Sequence, residues 1–328
     1  MLKIKPLKNC LNSRLAHSIK ANNKLLKKGL VLKKQDIFNL KKDGVKELYV
    51  FQESKTDINE NMASYKIAKF LSGRNIYCAK PVNGRADLFS TINGMIDFNC
   101  KLLASLNYYN DDVAISMIKN EKIVKKNQLV GNIKILPFAI DRKKILKITN
   151  NSKYLNLICV KEKTIRKVAL IISTSEKNNK IEKIILKSLN FRLNSFDMKI
   201  NNILFNKHSI DALKINIANL IKNKYDLILI YGSTSIVDKN DIIPRSIRST
   251  EGKVISFGAP TDPGNLLMLG NIKNTNIIGV PGCAKSISRN GFDIVLEKIC
   301  FGKKVSKYTL AEMSNGGLFK SLIKKELL

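Results

Sequence analysis

The chain has 328 residues and carries 58 Lys and Arg against 26 Asp and Glu, a formal net charge of +32. Its 44% hydrophobic and 26% charged residues fit a folded globular protein and exclude bulk disorder. No run approaches the ~18 consecutive apolar residues of a membrane span, so no membrane partner is expected.

At about 150 residues per domain the length predicts two domains, with core enough to need no disulfide or metal staple. The opening Met1-Leu-Lys-Ile-Lys-Pro-Leu-Lys-Asn-Cys10 has no long apolar stretch and no small-residue cleavage site, so it does not read as a signal peptide. Six cysteines lie scattered at 10, 78, 100, 159, 283 and 300 with no Cys-x-x-Cys pair, which predicts a reducing, cytoplasmic setting. Only nine of the basic residues are arginines and 49 are lysines. Arginine suits bidentate phosphate and base contacts. The lysines are spread along the whole chain, together with abundant Ile and Asn, as an AT-rich coding sequence would produce. No specific nucleic-acid partner is expected, while an anionic small molecule is compatible with the charge.

In chain order, the first half reads as mixed α and β. Residues 32–42 predict a short helix ending near Gly44, and Leu48-Tyr-Val-Phe51 a strand. Asp57 with Glu60 three residues on reads as a capping box opening a helix through Met62, Tyr65 and Phe70 to Gly73. A turn-rich segment follows at 81–89, a helix at 95–106, and strands at 113–118 and 133–140. Residues 141–163 are charged and irregular and read as the join between two domains.

The second half is more regular. Residues 167–174 form a continuous apolar run, as in a strand buried on both faces. A helix follows with Ile181, Ile184, Ile185 and Leu189 on one face. Residues 198–205 predict a second strand, a helix carries Leu213, Ile217, Leu220 and Ile221, and 226–231 predict a third strand. This alternation predicts an α/β fold with a mainly parallel sheet and helices on both faces over residues 164–328, preceded by a smaller mixed α+β domain over 1–163.

In such a sheet, ligands bind outside the carboxyl ends of strands. The third strand runs into Gly232-Ser-Thr-Ser-Ile-Val-Asp-Lys-Asn-Asp241, with Pro244 just inside a helix. Gly232 permits close backbone approach, and Ser233, Thr234 and Ser235 offer hydroxyls and N–H groups to an anion. Asp238 and Asp241 could accept hydrogen bonds or hold a divalent cation. The bland alternative is a polar loop with an N-cap. Two further loops follow strand-like runs: 258–267, after 254–257, and 281–286, after 276–280. Several lures fail. Gly279 to Ser286 misses the second glycine of a phosphate-binding loop, which is Ala284 here. The two histidines, His17 and His208, lie in opposite halves, which predicts neither a zinc site nor a histidine triad. Cys283, with no histidine near it in sequence, reads as a small buried hydrophobe.

These three loops in this order resemble the molybdopterin-binding domain of molybdenum-cofactor biosynthesis proteins, over roughly residues 165–302. The carrying segments are Gly232-Ser-Thr-Ser-Ile-Val-Asp-Lys-Asn-Asp241, Gly258-Ala-Pro-Thr-Asp-Pro-Gly-Asn265 and Gly279-Val-Pro-Gly-Cys283. Nearly end to end, the chain is similar to bacterial molybdopterin-binding proteins that occur alone or fused to a cytidylyltransferase-like domain. Leu15-Ala-His-Ser18, Gly84-Arg-Ala-Asp-Leu-Phe89, Asp262-Pro-Gly-Asn-Leu-Leu267, Asn290-Gly-Phe-Asp293 and Met313-Ser-Asn-Gly-Gly-Leu318 carry that likeness. The first half then matches a reduced version of the N-terminal region of the molybdenum-inserting transferases.

The resemblance implies molybdopterin, or a nucleotide derivative of it, as ligand. The ligand-binding residues would be Gly232, Ser233, Thr234, Ser235, Pro260, Asp262, Pro263, Gly264, Asn265, Pro281, Gly282, Cys283 and Ser286. Asp238 and Asp241 would be the catalytic pair, with Asp241 also the magnesium ligand. A cytidylyltransferase and a second copy of the chain are the implied partners. The chain departs from the adenylyltransferases in having Ser233 after Gly232 and, after the first strand, Glu176 as the only carboxylate. These departures favour holding the pterin phosphate over nucleotidyl or molybdenum transfer, which is the first alternative. A non-specific basic nucleic-acid binder and a nucleotide-hydrolysing relative are the others.

Overall fold

Contacts partition the chain into two units, Met1–Val160 and Lys161–Leu328. The computed structural model describes residues 2–175, 179–232 and 234–319.

The first unit is built from short, mostly antiparallel sheets. The largest has four strands, in the order Val113–Met117, Leu129–Ile135, Arg85–Ser90 and Ile76–Cys78. Strand Arg85–Ser90 alternates in burial, so Ala86 and Leu88 face a core completed by Ile67 and Leu71 of helix Glu60–Leu71. Several expectations are corrected here. Asp57 does not cap that helix: it sits in strand Asp57–Asn59, opposite Asp141, and Asn59 is the N-cap, its side chain accepting from the Asn61 N–H. The helix expected at 95–106 begins later, at Cys100–Tyr108, because Gly94–Phe98 is a strand. Of the expected join at 141–163, residues 141–160 belong to this unit and are regular rather than irregular, and the boundary falls at Val160/Lys161. Helix Arg142–Thr149 buries Ile145 and Ile148, and strand Ile158–Lys161 closes a three-stranded sheet.

The second unit contains one six-stranded sheet; its elements are numbered within the unit. They are β1 (Val168–Ser173), α1 (Asn179–Asn194), β2 (Asn202–Asn206), α2 (Ile210–Lys222), β3 (Leu227–Gly232), α3 (Ile242–Arg248), β4 (Lys253–Phe257), β5 (Met268–Ile272), β6 (Thr275–Gly279) and α4 (Gly291–Cys300). The strand order is β2-β1-β3-β6-β5-β4. β1 is buried throughout, as its apolar run requires. Ala169 and Ile171 of β1, Ile228 and Ile230 of β3, Leu213 and Ile217 of α2 and Ile243 and Ile247 of α3 share one core. On α1 the buried stripe is Glu182, Ile185, Ser188, Leu189, Arg192 and Leu193, while Ile184, expected on it, is exposed.

The expectation of a mainly parallel α/β fold is overturned. β2-β1-β3-β6 pair in parallel, but β6-β5 and β5-β4 pair antiparallel, so this sheet is mixed. The remaining sheets are small and mostly antiparallel, and the first unit is nearly as long as the second. Connection length supplies the reason. Parallel neighbours need a crossover of roughly a dozen residues or more. Only Lys273 and Asn274 separate β5 from β6, and Lys273 has φ of 51°, so the two strands form a hairpin. β4 and β5 are joined by 258–267 with no helix between them.

Candidate functional site

Register brings the three loops to one edge. Ser173 at the end of β1 pairs with Asn206 of β2 and Gly232 of β3, and Ile230 pairs with Gly279 at the end of β6. β5 runs the other way, so Met268 lies opposite Gly279, and Phe257 of β4 lies opposite Met268. Loops 233–241, 258–267 and 280–290 therefore all meet the sheet at this edge.

Side chains tie the loops together. A Cβ added to Gly279 would meet Ile236 Cδ1 at 2.5 Å, and one added to Gly282 would lie 3.4 Å from Ser235 Oγ. The Gly291 N–H donates to the Pro263 carbonyl at 3.0 Å, linking the second loop to the start of α4. Exposed Lys207, Lys239 and Lys285 stand on or beside these loops and give the edge a positive surface.

The expected site residues divide into groups. Thr234 and Ser235 are exposed at the edge, and Ser233 lies outside the described residues, as does Glu176. A Cβ on Gly232 would meet Thr234 O at 3.0 Å, Ile243 Cδ1 at 3.3 Å and His208 Cε1 at 3.4 Å. A side chain there would press on the protein's own packing, and these neighbours would have to give by a few tenths of an ångström. Gly282 differs: among the described residues, its chain neighbours aside, the atom within 4 Å of its Cβ position is Ser235 Oγ, at an ordinary contact distance of 3.4 Å. It begins the short 3-10 turn Gly282–Lys285 that follows buried Pro281. Cys283 is half-buried, and burial pushes its thiol pKa up. Ser286 Oγ donates to Ser288 Oγ at 3.0 Å.

The 260–265 segment is strapped rather than free. The Asp262 N–H donates to the Gly317 carbonyl at 2.8 Å, and the Phe319 N–H donates to the Asp262 carbonyl at 2.9 Å. Pro260 presents its carbonyl to Gly317, and Asp262–Pro263 is a cis peptide. Gly264 has φ of +124°, and a Cβ on it would come within 2.8 Å of Gly291 N. The Asn265 carbonyl accepts from the Ala259 N–H at 3.0 Å.

Both candidate carboxylates bind their own loop. Asp238 Oδ1 accepts from the Asn240 N–H at 2.7 Å. Asp241 is the N-cap of α3: Oδ1 accepts from the Ile242 N–H at 2.6 Å and Oδ2 from the Val237 N–H at 3.2 Å. Among the described residues no group of three or more His, Cys, Asp or Glu side chains gathers, so a cation at Asp241 would have to be completed by water or by the ligand's phosphate.

Sequence reasoning missed two groups. Arg192 on α1, 4% exposed, pairs with Asp293 at 2.7 Å and donates to the carbonyls of Ala284, Ser286 and Ser288. The signal was an arginine falling on the same helical stripe as Ile185 and Leu189. His208, just beyond β2, has Nδ1 2.9 Å from Ser173 Oγ.

A cleft of about 560 Å³, lined by Lys163, Arg166, Asn194 and Lys199 among others, lies at the opposite end of the strands, before β1 and β2. Among the described residues no helix is long and apolar enough to cross a membrane. Comparison with protein-family models gives no match, and comparison with curated proteins gives none either.

Proposed function

We propose that the chain binds molybdopterin through its terminal phosphate, as a cytoplasmic holding protein of molybdenum-cofactor biosynthesis. The observation that carries this reading is the convergence of the three resembling loops on one sheet edge, with room for a Cβ at Gly282 among the described residues. Backbone N–H groups of Gly282 and Cys283 would take phosphate oxygens from one side, and the Thr234 and Ser235 hydroxyls from the other. Lys207, Lys239 and Lys285 would attract the anion. The pterin, when bound, supplies the sulfur ligands for molybdenum; the chain's own residues bind and orient it.

Holding is favoured over nucleotidyl or molybdenum transfer because Asp241 uses both its oxygens, and Asp238 its Oδ1, on loop N–H groups. A cytidylyltransferase remains the proposed protein partner, and a second copy of the chain a proposed oligomer.

Isothermal titration of the full chain with molybdopterin tests the reading. The decisive variant is Gly282→Val, whose Cβ meets, among the described residues, Ser235 Oγ at an ordinary 3.4 Å. We expect an unchanged melting temperature and at least a roughly tenfold loss of affinity. Unchanged affinity in the folded variant would remove this loop from the site. Gly232→Val cannot serve, because it disturbs the protein's own packing.

A further inference from the structure

A polar row closes the edge beneath the loops. Asn206, Ser173 and Gly232 are in register across β2, β1 and β3. They share parity with Leu204, with Ala169 and Ile171, and with Ile228 and Ile230, so the row lies on the face that packs against α2 and α3. Polar groups at the end of an apolar sheet face need partners. Ser173, fully buried, finds His208 Nδ1 at 2.9 Å. The amide nitrogen and oxygen of Asn206 are both sealed from solvent and, among the described residues, have no partner.

His208 is set into this row by the glycine beside it. Its Cε1 lies 3.4 Å from the place where a residue other than glycine at 232 would carry Cβ. The ring is half-buried, with Nδ1 held by Ser173, so among the described residues Nε2 is the ring nitrogen without a bond, left for a ligand that enters at the edge. It stands beside Gly232, the last residue of β3, from which the loop assigned above to the phosphate departs.

We propose that His208 is an anion-contacting residue of this edge, its Nε2–H donating to a terminal phosphate oxygen, with Ser173 as the positioning residue that fixes the ring. The identity of the ligand rests on the molybdopterin reading; the chemistry His208 requires is that of a phosphate monoester or free phosphate oxygen.

The electrostatics fit this role. Burial pushes the His208 pKa down, and Asp241, on the loop before α3, pulls it partly back up. Asn206, Ser173 and Gly232, facing it from the strands, are uncharged. In the free protein the ring is therefore neutral at pH 7. An arriving phosphate favours the imidazolium, so binding takes up a proton and tightens as pH falls through the histidine range.

With two histidines in the chain, ring resonances can be assigned by comparison with His17→Gln. NMR titration of the full chain should show His208 titrating below the ordinary ~6.5, and molybdopterin should raise its midpoint by about one pH unit while leaving His17 in place. Calorimetry in buffers of different ionisation enthalpy should show proton uptake on binding, lost in His208→Gln together with about tenfold in affinity. Ser173→Ala should lower affinity less and keep the uptake. If molybdopterin binds and the His208 midpoint stays where it was, this proposal falls and the binding reading stands. If molybdopterin does not bind but inorganic phosphate or pyrophosphate moves His208, the anion contact stands and the pterin reading falls. If none of the three moves it, the proposal is overturned.

Discussion

Two loops on the same edge are held in opposite ways. Loop 281–288 is stapled from below by a buried cation. Arg192 donates from Nη1 to the Ala284 carbonyl at 3.2 Å and from Nη2 to the Ser286 and Ser288 carbonyls at 2.8 and 3.3 Å. Ser188 Oγ adds bonds to the Ala284 and Ser286 carbonyls at 2.6 and 3.2 Å and itself accepts from Arg192 Nη1. The same guanidinium is neutralised by Asp293, whose other oxygen accepts the Asn290 N–H in the capping box of α4. Among the described residues loop 233–241 has no buried staple: Asp238 and Asp241 tether it to its own N–H groups, and exposed Arg248 of α3 donates to the Lys239 carbonyl at 2.6 Å and to Asn240 Oδ1 at 3.3 Å, all at the surface. The difference teaches where pre-set geometry comes from. A charge buried with all its bonds satisfied admits one arrangement of the loop above it, whereas surface caps contribute about 1 kcal/mol each and release easily.

The largest expected effect breaks the staple. Arg192→Met removes the bonds to three loop carbonyls and leaves Asp293, 9% exposed, without its cation. Removing one partner of a buried pair costs about 3–5 kcal/mol, and urea unfolding of the full chain should show a loss of that size. Adding Asp293→Asn should recover part of it. A loss under about 1 kcal/mol would mean the loop does not depend on the charge beneath it, and the contrast with 233–241 would dissolve. A smaller effect follows at the junction of 258–267 with α4. A Cβ at Gly291 would run into Thr261 Oγ1, which is buried and unpartnered among the described residues. Gly291→Ala should cost about 1–3 kcal/mol by overpacking, read by the same unfolding curve. An unchanged midpoint would show that the second loop is free to shift, like 233–241.

What could be read from the sequence follows the same division. β1 and β3 were legible because six-residue apolar runs have one outcome when both faces are buried. The loops were legible as Gly, Pro and Asp clusters after those runs. β5 was not, because Met268-Leu-Gly-Asn-Ile272 carries Gly and Asn, which depress strand propensity. With β5 unread, the antiparallel end of the sheet could not be seen, and the sheet was taken as mainly parallel. Asp57 and Glu60 matched a capping box by spacing alone, and tertiary pairing with Asp141 decided otherwise. The sequence shows His208 only as one of two histidines in opposite halves; its partner, Ser173, is 35 residues away and becomes a neighbour only in the fold.

The smallest expected effect is at Asp241. A site carboxylate and a helix cap make opposite forecasts for Asp241→Asn, which keeps the shape and removes the charge. As a cap, the residue keeps an acceptor for the Ile242 N–H but loses the second, charged acceptor for the Val237 N–H. The loss should be about 1 kcal/mol in unfolding free energy. Affinity for molybdopterin should stay within about twofold at pH 8, where His208 is neutral with or without Asp241. Asp241 raises the His208 pKa, so its neutralisation should also move the His208 midpoint to lower pH in the free protein. A tenfold loss of affinity at pH 8 with stability retained would make Asp241 a ligand contact, and loop 233–241 would then be held by its ligand rather than by itself.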